Sequence, residues 1–412
     1  MTRLGTVRVF TVFYAIISSI QKYIPYLKFL QHGPPLLFDK ARLRTFRFQF
    51  KKKVRFMPKQ IFHTIDGLRG IAAMAVATLH MRILFPSVWY PPGGYLAVDL
   101  FFCLSGFVLA EAYSDRLDAG FSLSVFIKKR ILRLWPLYAL GLTIGAFMAV
   151  LRIIFGYDSP ASLISFIPAL FYIPWNGPLG ELYPLNFPAW SLLYELVVNI
   201  LMVIIWPRLD NRMLVSLIGL SGAGLVVSAF LWGSLNAGFS WAGSGVATAR
   251  VGFSFFLGIL LWRMKPVPSH LSAWVPACML VVALMVDNAG ISHAVTDLVN
   301  VMVVFPLIVW LGAITRPSGA SLLFFESIGA ASYALYTVHM PILRLLAMFI
   351  SKVMHIPLGN VPYVLCLAIL ASLLTLAWFL NRLDVIFRAR LNDFLKRGVS
   401  SPVADSAPVL PG

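Results

Sequence analysis

A chain of 412 residues that is 59% hydrophobic and only 12% charged, with a mean hydropathy of +0.83, holds more apolar surface than a soluble protein of that size can bury. Its formal charge of +18 would suggest nucleic acid in a soluble chain, but 13 of the 34 Lys and Arg residues precede Ile65 and most others sit between apolar runs. That distribution is a membrane-topology signal, and no nucleic-acid-binding motif accompanies it.

Residues 1–58 read as a basic extension. Val9 to Leu30 is apolar but broken by Lys22, Pro25 and Lys28, so it does not count as a span. Met57-Pro-Lys-Gln has the form of a natural start, and translation is expected to begin at Met57.

Residues 59–383 read as one all-α membrane domain, a bundle of about ten transmembrane helices. The apolar runs fall at roughly 65–85, 95–114, 131–155, 188–206, 213–232, 246–264, 272–288, 295–313, 328–350 and 361–381. With the N-terminus in the cytoplasm, the inner loops hold Arg116, Lys128, Lys129, Arg130, Arg133, Arg208, Arg212, Arg263, Lys265 and Arg316, against Arg82, Arg152 and Lys352 outside. That bias places both termini in the cytoplasm. Residues 384–412 are expected to be a cytoplasmic tail, first basic and then disordered, with no soluble domain.

The outer connection from Gly156 to Phe187 contains no Lys or Arg. Its stretch from Leu163 to Trp175 is too short to span and is expected to be an interfacial or re-entrant cap over an outward-facing cavity. Trp89, Tyr90, Tyr172, Trp175, Tyr183 and Trp190 suit an interfacial aromatic belt, though such rings also stack on sugars. Cys103, Cys278 and Cys366 lie in apolar stretches without metal-ligand spacing and are read as packed hydrophobes; no metal site is expected.

Ionisable residues inside spans are costly, so each is a candidate functional group. The first span carries Asp66, Arg69 and His80. Arg69 and His80 are eleven residues apart, hence within about 20° on the helix and roughly 16 Å apart along it. His80 and Glu195 count to similar distances below the outer surface, and a carboxylate beside an imidazole prepares it as a general base; the same pair would also serve as a structural hydrogen bond. Arg69 with Asp66 at i−3 reads either as an intrahelical ion pair or as part of an anion site. Arg130 and Arg133 share a face at the inner end of the third span and suit phosphate. Asp99, near the outer end of the second span, needs a partner within the bundle. His339 lies near mid-membrane ahead of a kinking Pro341, with a structural and a catalytic role both open. Arg250 and Arg344 are embedded without an evident role.

Together these residues resemble the acyltransferase-3 family of multi-span membrane acyltransferases, many of which O-acetylate bacterial surface carbohydrates. The likeness runs from about Phe62 to Leu383. It rests on Arg69-x10-His80 within Asp-Gly-Leu-Arg-Gly-Ile-Ala-Ala, Gly94-Tyr-Leu-Ala-Val-Asp99 continuing to Ser105-Gly106, and Arg130-x2-Arg133. Trp190-Ser-Leu-Leu-Tyr194-Glu195 and Ser332-Tyr333-x2-Tyr-x2-His339-x-Pro341 complete it. Some members carry a fused extracytoplasmic hydrolase-like domain, which is not read here.

The resemblance implies acyl-CoA, with acetyl-CoA foremost, as a cytoplasmic co-substrate and no permanently bound cofactor. It implies His80 as the catalytic histidine and Arg69, Arg130 and Arg133 in donor binding or its support. Asp66, Asp99, Trp190, Tyr194, Ser332, Tyr333 and His339 then stand as supporting groups, beside Glu195 as the orienting carboxylate. The expected setting is a bacterial inner membrane, with membrane lipid around the bundle and a carbohydrate or glycolipid acceptor outside. A continuous passage is expected from the arginines to His80. The competing reading is a transporter or flippase for a lipid-linked glycan, for which no internal repeat is found.

Overall fold

The computed structural model describes residues 60–177, 180–286 and 292–399. The proposed start at Met57, the rest of the N-terminal extension and the last residues of the tail lie outside them. Among the described residues every regular element is helical, and a single bridge joins Glu181 to Ser240.

In chain order the helices are α1 (His63–Leu84), α2 (Ala97–Asp118), α3 (Leu123–Ile154), the short α4 (Phe166–Leu170) and α5 (Trp190–Ile205). Then follow α6 (Asn211–Trp232), α7 (Ser244–Arg263), α8 (Trp274–Met285), α9 (His293–Val299), α10 (Phe305–Ile314), α11 (Gly319–Met348) and α12 (Tyr363–Val399). A π-helical turn, Asn300–Val304, joins α9 to α10 in a single span.

Nine described spans are long and apolar enough to cross a membrane, and the chain is a multi-pass membrane protein. The seventh expected span is the 12-residue α8, which reaches only about 18 Å and falls short of a bilayer core. Here Cys278 is exposed, whereas Cys103 and Cys366 are buried as expected.

Small residues bring the helices together. On α1, Gly67 and Gly70 press against Phe325 and Ile328 of α11, while Gly329 of α11 lies against the Asp66 backbone. Gly106 of α2 and Gly258 of α7 likewise pack against the Phe255 and Cys103 carbonyls. Backbone contact of this closeness is how membrane helices gain dispersion without a hydrophobic driving force between them.

The outer connection is not a flat cap. Pro160–Ser165 and α4 present Ile164, Ile167 and Phe171 outward, but the chain after them turns into the bundle. Tyr172 stacks on Tyr138 at 4.1 Å, and the Tyr183 hydroxyl donates to the Tyr172 carbonyl at 2.7 Å. Tyr172, Tyr183 and Trp190 are therefore buried rather than part of an interfacial belt; Trp89 and Trp175 remain exposed. Burial pushes the phenols of Tyr172 and Tyr183 above their ordinary range, so both stay neutral.

One interaction sets how deep this chain runs. Pro341 has no N–H to offer the Thr337 carbonyl four residues back. Asn186 Nδ2 donates to that carbonyl instead, at 2.9 Å. Gly141 of α3 lies against the same Thr337 carbonyl and Gly145 against that of Leu185, where side chains would exclude the incoming chain.

Candidate functional site

His80 near the end of α1 and His339 on α11 meet in the interior, with Nδ1 of His80 2.8 Å from Nε2 of His339. The ring planes lie within 5° of parallel. His339 Nδ1 lies 2.9 Å from the Leu335 carbonyl. A carbonyl only accepts, so His339 Nδ1 carries its proton, and the Nε2 of a neutral His339 is an acceptor. His80 Nδ1 must then donate to it. The Nε2 of His80 is left with a free lone pair, the form required of a base or nucleophile. Phe187 packs its edge 5.8 Å from the His80 ring.

Glu195 is not the partner of His80. It accepts from Arg130 Nη2 at 2.9 Å and from Ser105 Oγ at 3.2 Å. The equal-depth expectation assumed that the fourth span starts at the outer surface. Because Asn186 is drawn down to Thr337, Phe187 already stands beside His80 and Glu195 falls about 12 Å further in, eight residues at 1.5 Å each.

Below the histidines an inner cavity of about 440 Å³ opens on the side of the basic loops. Arg69, Arg130, Arg133, Glu195, Ser332 and Tyr333 line it. Arg69 pairs with Asp66 at 3.3 Å, as spacing allowed, and also donates to Ser332 Oγ at 3.3 Å. Ser332 in turn donates to the Gly329 carbonyl, and Tyr333 donates to that of Leu134. Arg133 pairs with no carboxylate among the described residues. The ion pair of Arg69 and the anion-site position are thus compatible, since both residues face the cavity.

The last helix contributes residues that hydropathy did not single out. It continues as α12 through the expected boundary at 383, bringing Asn381, Asp384 and Arg388 into the inner cavity wall. Asp384 pairs with Arg388 at 2.8 Å. Asp384 Oδ1, Arg388 Nε and Arg130 Nε are buried without a hydrogen-bond partner. The i, i+4 spacing of opposite charges beyond the last apolar run was the available signal.

Asp99 finds its partner in Arg250, whose Nη2 lies 2.6 Å from Oδ2. Arg250 also donates to the carbonyls of Ala237 and Tyr95 and lies over the Trp190 ring at 5.5 Å. This network joins α2 to α7 away from the cavities. Tyr194 donates to the Ser244 carbonyl at the start of α7. Asp99, Trp190 and Tyr194 thus make contacts between helices and line neither the inner nor the outer cavity.

Above the histidines is a second cavity of about 650 Å³, whose wall includes Leu84, Pro184, Leu185, Pro341 and Arg344. The outer connection supplies part of that wall through residues such as Asp158, Ser162 and Glu181, whereas the expected cap, Leu163 to Trp175, contributes none of it. His80 and His339 line neither cavity. The expected continuous passage is interrupted by a partition: the Tyr336 and Ser191 hydroxyls lie 2.6 Å apart, and Phe101 packs edge-on against Tyr336 at 5.5 Å. Aromatic and hydroxyl groups that satisfy one another fill the space beneath the imidazoles.

An acyltransferase-domain model, acyltransferase-3, matches residues 62–380. Protein 2 in the picA locus of Rhizobium radiobacter is 36% identical over 190 residues, 42% of this chain and 96% of that protein. BcsY of Komagataeibacter xylinus, provisionally named a membrane-bound transacylase, is 28% identical over 305 residues, 69% of this chain and 74% of its own. ORF330 of Acidianus two-tailed virus, provisionally named an acetyltransferase, is 29% identical over 194 residues, 46% of this chain and 53% of its own. No solved structure matches.

Proposed function

Since the chain belongs to the acyltransferase-3 family of membrane transacylases, we propose that it moves an acyl group, acetyl foremost, from cytoplasmic acyl-CoA to a hydroxyl of an extracytoplasmic carbohydrate or glycoconjugate. The observation that carries this reading is the position of His80. Its Nε2 is freed by the His339 hydrogen bond and lies between an arginine-lined inner cavity and a separate outer one.

Acyl-CoA is a polyanion with a long, nearly neutral pantetheine arm. Its phosphates would rest against Arg133 and Arg69, with Arg130 held in place by Glu195. The arm would run upward between α2 and α11 toward Tyr336. Displacement of the Tyr336 side chain from Ser191 would open the partition and admit the thioester to His80. The acceptor hydroxyl would arrive from the outer cavity.

His80 Nε2 then takes the hydroxyl proton as the oxygen attacks the thioester carbon; the C–S bond breaks, and the imidazolium returns the proton to the leaving thiolate. In the alternative sequence Nε2 attacks first and the C–S bond breaks to release CoA thiolate; the acyl-imidazolium then passes its acyl group to the hydroxyl oxygen, regenerating neutral His80, and the hydroxyl proton goes to the thiolate. Either route ends in an O-ester and free CoA. His339 supports both, because its acceptor nitrogen stabilises the positive charge that develops on His80.

Purified protein in nanodiscs, supplied with radiolabelled acetyl-CoA and surface glycan of its source cell, is expected to consume thioester and form labelled ester. His80→Ala should abolish this while expression and melting temperature stay unchanged. Retained transfer by that variant rejects the assignment, and glycan movement across sealed proteoliposomes without thioester consumption selects the flippase reading.

A further inference from the structure

The wall of the outer cavity carries three cations against two carboxylates. It holds Arg152, Arg344 and Lys352 together with Asp158 and Glu181. Arg152 pairs with Asp158 at 3.3 Å, and Lys352 Nζ stands 4.4 Å above the Tyr157 ring. Arg344 differs from both. It donates from Nη1 to the Pro184 carbonyl at 3.1 Å and feels the charge of Glu181 across the cavity, without a close ion pair to any carboxylate among the described residues. Arg344 lines the cavity from a membrane span, where a charge without a close partner is expensive.

Position makes this charge a candidate for ligand selection. Arg344 follows His339 by five residues on α11, about 7.5 Å along the axis toward the outside. Pro341 and Leu84, two and four residues from the paired histidines, line the part of the cavity nearest to them. A volume of about 650 Å³ falls within the usual range for small-ligand sites, roughly 300–1,000 Å³. Ser162 and Ser351 add hydroxyl groups to the same wall.

We propose that the outer cavity is an acceptor site for an acidic saccharide, with Arg344 binding the anionic group of the acceptor while a hydroxyl one sugar unit away reaches His80. This rests on the acyl-transfer reading for its reaction, though not for its binding. The oxyanion is a sugar carboxylate or a glycosyl phosphate, both of which a guanidinium receives through paired N–H donors.

Binding separates these cases without requiring turnover. Three probes are titrated into the detergent-solubilised full chain by thermophoresis: a neutral glucosyl disaccharide, its analogue with one ring oxidised to the uronic acid, and the neutral disaccharide as its 1-phosphate. At low salt at least one acidic probe should bind about tenfold more tightly than the neutral one, and raising salt should erode that margin. Whichever acidic probe binds better identifies the oxyanion. Arg344→Gln should reduce the preference to about twofold or less without weakening the neutral probe, and Arg344→Lys should keep part of it.

Equal binding of acidic and neutral probes by the wild type overturns the proposal. So does an acid preference that survives Arg344→Gln, or one indifferent to salt. If Arg344→Gln is poorly folded, the wild-type salt series and Arg344→Lys decide. An intact acid preference in a protein that consumes no acyl-CoA would uphold the site and overturn the transfer reaction.

Discussion

His80 and His339 share one hydrogen bond of 2.8 Å, and the Leu335 carbonyl fixes its direction. Because His339 Nδ1 must donate, its Nε2 must accept, and His80 is held as the tautomer with a free Nε2. His339→Ala removes that constraint while leaving His80 present. We expect kcat to fall about 100-fold, within the range over which general acid–base catalysis contributes, with the acyl-CoA KM changed less than about twofold. His339→Gln, whose amide oxygen accepts from His80 Nδ1, should recover part of the loss. Steady-state transfer of radiolabelled acetyl groups measures both, and equal rates for the Ala and Gln variants would refute the tautomer role.

Asp99 and Arg250 are both nearly inaccessible, with side chains 0% and 2% exposed. Removing one partner leaves the other charge buried, which costs about 3–5 kcal/mol. Asp99→Ala and Arg250→Ala should therefore lower the detergent unfolding midpoint sharply. Asp99→Leu combined with Arg250→Met should recover much of the stability, though not the contributions of the Ala237 and Tyr95 carbonyl contacts. The folded fraction of each variant should retain turnover within about threefold of wild type, since neither residue lines a cavity; chemical denaturation paired with activity per folded molecule tests the separation.

Asp99 also shows how far the amino-acid pattern reaches. A carboxylate in an apolar run had to have a buried partner, and that much was legible; which cation answered it depended on how α2 meets α7. Hydropathy located nine long spans because each one must satisfy its own backbone across a bilayer. It overestimated α8, since an apolar run records burial or lipid contact without distinguishing them. The error over Glu195 came from counting depth along the chain. Depth there is set by Asn186 reaching a carbonyl that Pro341, 155 positions later in the chain, leaves unpaired. Asp384 and Arg388 were passed over because they follow the last apolar run, where a solvated basic tail was the simpler expectation. Composition and period report on single helices, whereas the histidine pair and the two cavities arise only where helices meet.

The Asn186 contact predicts a coupled pair of substitutions. Asn186→Ala leaves the Thr337 carbonyl buried without a donor, which should cost about 1–3 kcal/mol. Pro341→Ala restores a backbone N–H able to close the helical bond to Thr337. In that background Asn186→Ala should cost less than half as much. A double-mutant cycle on unfolding free energies measures the difference; additive effects would show that Asn186 stabilises the outer chain by some other contact.

Arg388 offers a test on the donor side. Its Nε and Asp384 Oδ1 are both buried and unpartnered at the wall of the inner cavity, beside the 2.8 Å pair they otherwise form. A phosphate oxygen entering there would complete the guanidinium's hydrogen bonds while Asp384 released it. Arg388→Ala should raise the acetyl-CoA KM about 3- to 10-fold and leave kcat within about twofold, the signature of lost ground-state binding. Asp384→Asn should lower KM, because the competing carboxylate charge is gone and Arg388 remains. Acetyl-dephospho-CoA, lacking the 3′-phosphate, gives the internal control. If Arg388 holds that phosphate, the wild-type KM for the shortened donor is raised and Arg388→Ala adds little further. An Arg388→Ala penalty equally large for both donors would place the guanidinium on the pyrophosphate, and an unchanged KM for both would remove α12 from donor binding.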